Sequence, residues 1–228
     1  MAIKPILFNT EMVRAILDGR KTCTLRLVRF LPGKNPQWTG YIRDGLMLYN
    51  GRNEPCIIKA PYQPGDILYV RETWQYLYEL DGNEQVIEDT GKYYYAATDT
   101  IPFDTYVDEN GVKHDHAPWR PSIHMPKEAV RIWLKVTGVR VERLQSITEW
   151  GAIREGAEGE KCHHTNAGVF GCTDCMNTGW IEPPQVEFMQ IWDSTIKKSD
   201  LDRYGWDANP WVWVVEFERC EKPEDNQN

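Results

Sequence analysis

Residues 19–30 read GRKTCTLRLVRF. The glycine frees the chain to turn, and the Thr, Leu and Val residues that follow at alternating positions favour a strand leaving that turn. An extended chain then places Thr22, Thr24 and Arg26 on one face and Cys23 and Leu25 on the other. Lys21 sits at the mouth of the strand, with a side chain long enough to fold back toward the Thr24 hydroxyl. A hydroxyl, an ammonium and a guanidinium gathered in one spot bind an anion, a carbonyl or the edge of a nucleobase. The plainer reading of the same residues is an exposed basic turn on an edge strand.

Working outward, IKPILF at 3–8 reads as a short strand. Asn9 is a plausible N-cap for a helix to about Asp18, with Met12, Val13, Ile16 and Leu17 on one stripe and Gly19 ending it. Strands are expected at 41–48, 55–60 and 67–70, the last after the Pro64-Gly65-Asp66 turn, and the alternating run 129–144 carries a bulge or bend at Gly138. Residues 78–118 read as a polar, turn-rich excursion holding one aromatic strand, Tyr93–Ala96. Helices are expected at about 148–157, capped by Ser146 or Thr148, and at 185–197 after Pro183-Pro184; WVWVVEFE at 211–218 closes the chain as a strand.

This order predicts an α+β class, with strands accumulating into a small mixed β-barrel flanked by helices. With 228 residues the chain has room for one core plus insertions, so a single domain over 1–221 is expected, with excursions at about 75–125 and 159–182 and a disordered tail at 222–228. Apolar residues make up 41% and aromatics 12%, which excludes a disordered chain. No run approaches the roughly 18 apolar residues that cross a bilayer, and no secretory pattern opens the sequence, so a soluble, cytoplasmic protein without a membrane partner is expected. The net charge of −8 argues against binding long duplexes, which rests on many cations facing phosphates. A local basic pocket for a small nucleoside-like ligand or a short single strand stays compatible with it.

The pattern Gly19, Lys21, Thr22, Thr24 and Arg26 at the exit of a first helix resembles the ASCH family, of PUA-like fold. PGDILYVRETW at 64–74 looks like that family's Pro-Gly-Asp strand, ITEWGAIREGA at 147–157 like the helix after its central strands, and WVWVVEF at 211–217 like its last strand. The resemblance implies a PUA-like barrel. A small bacterial branch of the family hydrolyses the amide of N4-acetylcytidine with a Lys, a Thr and a Glu, which by position correspond to Lys21, Thr24 and Glu155. Such chemistry is coherent: a Thr hydroxyl becomes a nucleophile when a base takes its proton, a desolvated Lys can be that base, and a Glu can orient it or carry a proton to the departing amine. A binding pocket would use the same groups to grip a base without cleaving it, and Glu155 also reads as an ordinary helical surface residue.

Arg26 and Arg71 are candidate substrate-binding residues, although Arg71 with Glu72 also reads as a structural ion pair. In WRPSIHMPKEA at 119–129, similar to stretches of long phage and prophage members of the family, Trp119 is placed to stack on a flat base while Arg120 or His124 bonds its edge. The alternative is an ordered Pro-rich loop.

The segment 162–175, CHHTNAGVFGCTDC, offers Cys162, His163, His164, Cys172 and Cys175. A two-residue gap between cysteines is the knuckle that lets two thiolates face one tetrahedral ion, so structural zinc held by Cys162, His164, Cys172 and Cys175 is expected, with His163 the alternative fourth ligand. Free thiols, or a disulfide framework among the six cysteines, are the competing readings. The function expected is thus an amidohydrolase acting on an N4-acylated nucleoside or similar small amide. The alternatives are a non-catalytic module that binds a modified or single-stranded base in RNA, and, more remotely, a ribonuclease.

Overall fold

The computed structural model describes residues 1–29, 37–42, 46–49, 55–81, 83, 85–101, 106–107, 113–114, 119–162, 175 and 178–224. In chain order the strands are β1 (Ile3–Leu7), β2 (Cys23–Leu27), β3 (Gln37–Ile42), β4 (Leu46–Tyr49), β5 (Pro55–Ile58), β6 (Ile67–Arg71), β7 (Trp74–Leu80), β8 (Val86–Tyr95), β9 (Tyr106–Val107), β10 (Lys113–His114), β11 (Trp133–Arg143), β12 (Glu160–Lys161), β13 (Trp180–Glu182) and β14 (Trp211–Cys220). The helices are α1 (Thr10–Leu17), α2 (Glu149–Glu155), α3 (Pro184–Thr195) and α4 (Leu201–Tyr204). The class is α+β. Among the described residues no sheet closes into a barrel. No described helix is long and apolar enough to cross a membrane.

The chain divides into two compact units, each gathered from separate segments. The first comprises Met1–Asp18, Ile67–Lys135 and Arg219–Asn228, the second Gly19–Asp66 and Val136–Glu218.

In the first unit β1 runs parallel to β6, from Ile3 opposite Ile67 to Leu7 opposite Arg71, and the first residues of β11 pair antiparallel with β6. Asn9 caps α1 by accepting the Met12 N–H at 2.8 Å, and the helix buries Val13, Ala15 and Ile16 on one stripe. β7 and β8 form a long antiparallel hairpin with Trp74 opposite Tyr95. The hairpin differs from the excursion expected at 78–118, which allowed one strand only. WQYLYEL alternates with period two and Asp81-Gly82 follows it, a pair of hairpin signals that the polar composition of the region obscured.

In the second unit β14 pairs antiparallel with β2, from Val212 opposite Leu27 to Glu216 opposite Cys23, and the strand order is β11-β14-β2. β3, β4 and β5 make a separate meander, so the run expected as one strand at 41–48 supplies the end of one strand and most of the next. Cys23, Leu25 and Leu27 pack with Val212 and Val214 against Ala152 of α2 and Phe188 and Trp192 of α3. Burying a Leu or Phe side chain stabilises by about 1.5–3 kcal/mol, so this layer fixes the two helices on β2. Thr148 caps α2 by accepting the Gly151 N–H at 3.0 Å, and Gly156, at φ 106°, ends it in the left-handed region where only glycine is at ease. The run expected as a strand from 129 begins at Trp133, because Pro126 leads the chain into a short 3-10 turn at Lys127–Ala129.

Candidate functional site

A helix leaves its last carbonyls without intrahelical partners. In α2 the last two of these, and the carbonyl of the capping Gly156, are taken by the turn before β2. The Arg154 carbonyl accepts the Thr22 N–H at 2.9 Å, the Glu155 carbonyl accepts from Lys21 Nζ at 2.6 Å, and the Gly156 carbonyl accepts from Arg20 at 3.2 Å. Two cations therefore stand at the negative end of the helix, where the dipole favours them.

Lys21 goes further than capping. Its Nζ also meets the Glu155 carboxylate, in an ion pair whose side chains are 0% and 5% exposed. The other carboxylate oxygen accepts the Leu25 N–H. That N–H is available for a reason set by register: Val28 N–H donates to the Trp211 carbonyl and Thr22 accepts from Phe217, so the even-numbered residues of β2 bond to β14. The odd-numbered N–H groups point away from β14, and Glu155 takes the one at Leu25.

Thr24 is buried on the face of β2 opposite Cys23 and Leu25, across from Val215. Its hydroxyl is not among the groups bonded to Lys21 or Glu155. The structure thus brings together two members of the expected trio and places the third on the same strand without a bond to them. Arg26 lies opposite Trp213, and its charge reaches the Tyr62 phenol, whose pKa burial raises and Arg26 lowers in part. Neither Trp213 nor Tyr62 was singled out from the sequence; the cross-strand register that joins Trp213 to Arg26 is a long-range property.

Cys23 lies under this layer, with its thiol pushed up to about 12 by burial and by the Glu155 charge, against the partial lowering by Lys21, Arg154 and Arg140. It is a packing residue in the neutral thiol form. Beside it Arg154 donates to the Thr22 hydroxyl at 2.9 Å and to Glu216 at 3.0 Å, and Arg140 donates to Glu216 at 2.8 Å. Burial pushes the Glu216 carboxyl up, but the two guanidiniums hold it below the usual carboxylate range. Gly138 gives this carboxylate its room: a Cβ there would stand 2.8 Å from Glu216 Oε2.

Comparison with protein-family models, with curated proteins and with solved structures finds no match for this chain.

The remaining candidates fall in the first unit or in the Cys/His segment. Arg71 donates to the Met125 carbonyl at 2.9 Å, and Glu72 is held by Arg131 through two bonds of 2.9 Å rather than by its neighbour Arg71. Arg131 also stacks on the Tyr95 ring at 3.9 Å from its centroid and donates to Thr98 at 2.9 Å. These contacts tie the 119–131 segment to the sheet. Trp119 and His124 are both exposed, His124 within the 3-10 turn Ser122–His124.

His163, His164 and Cys172 lie outside the described residues. Cys162 and Cys175 are described: the Cys162 N–H donates to the Gly179 carbonyl at 3.0 Å beside the β12–β13 hairpin, and the buried Cys175 carbonyl accepts the Thr178 N–H at 2.8 Å. Among the described residues no three His, Cys, Asp or Glu side chains gather into a metal site.

Proposed function

We propose that this chain is an ASCH-type amidohydrolase acting on an N4-acylated nucleoside or a similar small amide through Lys21, Thr24 and Glu155. The observation that carries the reading is the Lys21–Glu155 pair, an ammonium and a carboxylate withdrawn from water beside β2. Burying two charges costs several kcal/mol per ion before their attraction is counted, and a cap for α2 alone does not require a carboxylate there. A pair kept in this way is placed to pass a proton.

In the proposed reaction Lys21 gives a proton to Glu155 and takes the hydroxyl proton of Thr24. The Thr24 oxygen bonds to the acyl carbon, the C–N bond breaks, and the amine leaves with the proton carried by Glu155. Water then cleaves the threonine ester, releasing the acid and restoring the hydroxyl. Arg26 would grip the polar edge of the base. The PUA-like barrel belongs to this proposal and not to the observed topology.

A second reading, a module that holds a modified or single-stranded base without cleaving it, is favoured by the same Arg26 with the Tyr62 phenol that its charge reaches. Absorbance assays of a panel of N4-acylated cytidines separate the two. Release of cytidine by the wild type, lost in Lys21→Ala, supports the hydrolase; binding with no turnover across the panel removes it.

We further propose a structural zinc ion held by Cys162, His164, Cys172 and Cys175. What supports the reading is the donor chemistry and spacing of these residues in the sequence, with Cys162 and Cys175 each held at the backbone by a hydrogen bond. Thiolate ligands suit a closed tetrahedral site, and its role would be to order the hairpin.

A further inference from the structure

Thr22 belongs to the sequence pattern at 19–26, yet the proposed reaction gives it no part. It is half-buried, and each of its polar groups is bonded. The Thr22 N–H donates to the Arg154 carbonyl at 2.9 Å, and the Arg154 Nε–H donates back to the Thr22 hydroxyl at 2.9 Å, so the two residues clasp each other through backbone and side chain at once. The Thr22 carbonyl accepts the Phe217 N–H at 2.9 Å, which ties the clasp to β14. Arg154 reaches the same strand by donating to Glu216 at 3.0 Å, and Glu216 also accepts from Arg140 of β11 at 2.8 Å. All five residues lie in the second unit.

The clasp is one rung of three. Arg20 bonds to Gly156, Lys21 to Glu155 and Thr22 to Arg154, so the turn runs antiparallel to the end of α2, one residue against one. Lys21 is the middle rung, and its flexible stem follows the spacing that the outer rungs set. The Arg20 rung is made at 3.2 Å by a long side chain that is 35% exposed and shared with Glu158. The Thr22 rung is made by main chain and by a short β-branched side chain that is stiff at χ1. It is therefore the rigid one.

Capping α2 requires only the Thr22 N–H. The return bond from Arg154 adds nothing to the cap. What it fixes is the angle between turn and helix, and with it the span between the Lys21 ammonium and the Glu155 carboxylate.

We infer that Thr22 and Arg154 are positioning residues, whose reciprocal clasp seats the Lys21 ammonium on the Glu155 carboxylate. The kinetic part of this inference rests on the hydrolase reading; the seating of the pair does not. The clasp acts on the pair and not on the substrate, so it bears on rate rather than on binding. A misplacement of about 1 Å in a reacting group can cost about a hundredfold in rate.

The test joins steady-state hydrolysis of N4-acetylcytidine to amide hydrogen exchange at Leu25, whose N–H is bonded to the Glu155 carboxylate and reports its seating without any turnover. Thr22→Val removes the hydroxyl and keeps the shape. It should lower kcat about tenfold or more with KM within about twofold of wild type. Leu25 exchange should quicken about tenfold, while the Val28 amide, bonded to the Trp211 carbonyl, keeps its rate. Thr22→Ser keeps the hydroxyl and should bring both values to within about threefold of wild type. Arg154→Lys keeps the charge but loses the fork, and should match Thr22→Val, with the double variant within about twofold of either. Should Thr22→Val fail to fold in urea titration, Arg154→Lys carries the same two readouts. An active Thr22→Val beside an impaired Thr22→Ser makes Thr22 a packing residue and overturns the inference. Wild-type kcat in Thr22→Val, or a raised KM alone, overturns it and leaves the hydrolase reading standing. If the wild type does not turn over, the hydrolase reading falls and Leu25 exchange decides the clasp: faster exchange in Thr22→Val and Arg154→Lys supports it, and an unchanged rate overturns it.

Discussion

The two units each hold a buried carboxylate with a cationic partner, and the partners differ in kind. Glu72 receives a two-pronged Arg131 whose remaining donor goes to Thr98 and whose flat face lies on Tyr95. All three nitrogens and one face of that guanidinium are engaged by the surrounding fold, as befits a strut between the 119–131 segment and the end of β6. Glu155 receives a lysine, a compact charge on a flexible stem, enclosed at 0% exposure and set between a helix end and the outer side of β2. Arginine keeps its proton in proteins, whereas a buried lysine can be made to give it up. The comparison separates a forked, partly exposed fastening from a fully enclosed lysine, the group to which the proposed function assigns the proton.

The largest expected effect tests the buried pair. Glu155→Ala leaves the Lys21 ammonium and the Leu25 N–H buried without their carboxylate, and should cost about 3–5 kcal/mol in urea unfolding. Glu155→Gln retains an acceptor for Leu25 and should cost less. A loss below about 1 kcal/mol for Glu155→Ala would mean that water reaches the pair, and the contrast between the units would fail.

Arg131→Ala should cost about 2–3 kcal/mol, because its side chain is 29% exposed and solvent can partly replace it beside Glu72. Arg131→Lys should recover little of this, since it keeps the charge but loses the fork and the stack on Tyr95. Full recovery would make the Glu72 site a simple charge pair. For the metal, purified protein should contain about one zinc per chain, and removing it with a chelator should lower Tm; a folded, metal-free preparation contradicts the zinc proposal.

The thiol of Cys23 gives a smaller, pH-dependent effect. Burial pushes its folded pKa up to about 12, above the ordinary thiol value of 9.0. Below pH 9 both states hold the proton and stability is unaffected; between 9 and 12 only the unfolded state loses it, so stability falls as pH rises. Cys23→Ala should remove that part of the slope, and identical alkaline profiles for the two proteins would place the thiol in contact with water. The smallest effect is expected at Gly138→Ala. The added methyl displaces only the flexible end of Glu216 from Arg140 and Arg154, a partly exposed group of charges worth about 1 kcal/mol or less.

What the sequence reveals follows the range of the interaction that decides it. The Asn9 cap, the stop after α1 and the Thr148 cap, read with Ser146 as its alternative, are local and legible because one or two side chains and a φ angle determine them, whereas the expected helix at 148–157 overran the Gly156 end of α2. The pairing of β1 parallel to β6, the odd and even N–H directions of β2, and Trp213 opposite Arg26 depend on register between distant strands, which no local pattern encodes. Glu155 shows both sides. As a helical residue it read equally as surface or site, and only the turn at Arg20–Thr22 folding onto the end of α2 buries it. The partner of Glu72 follows the same rule, since the neighbour Arg71 is visible in the sequence while the observed partner, Arg131, lies 59 residues along the chain.

The most direct test of the central claim is the rate of cytidine release from N4-acetylcytidine by wild type, Thr24→Val, Lys21→Arg and the double variant, with folding checked by circular dichroism. Wild-type turnover, with each single variant slower by about a hundredfold or more and the double variant little worse than either, is the outcome for groups that act as a unit. Unchanged turnover in folded Thr24→Val, or losses that simply multiply in the double variant, would contradict it.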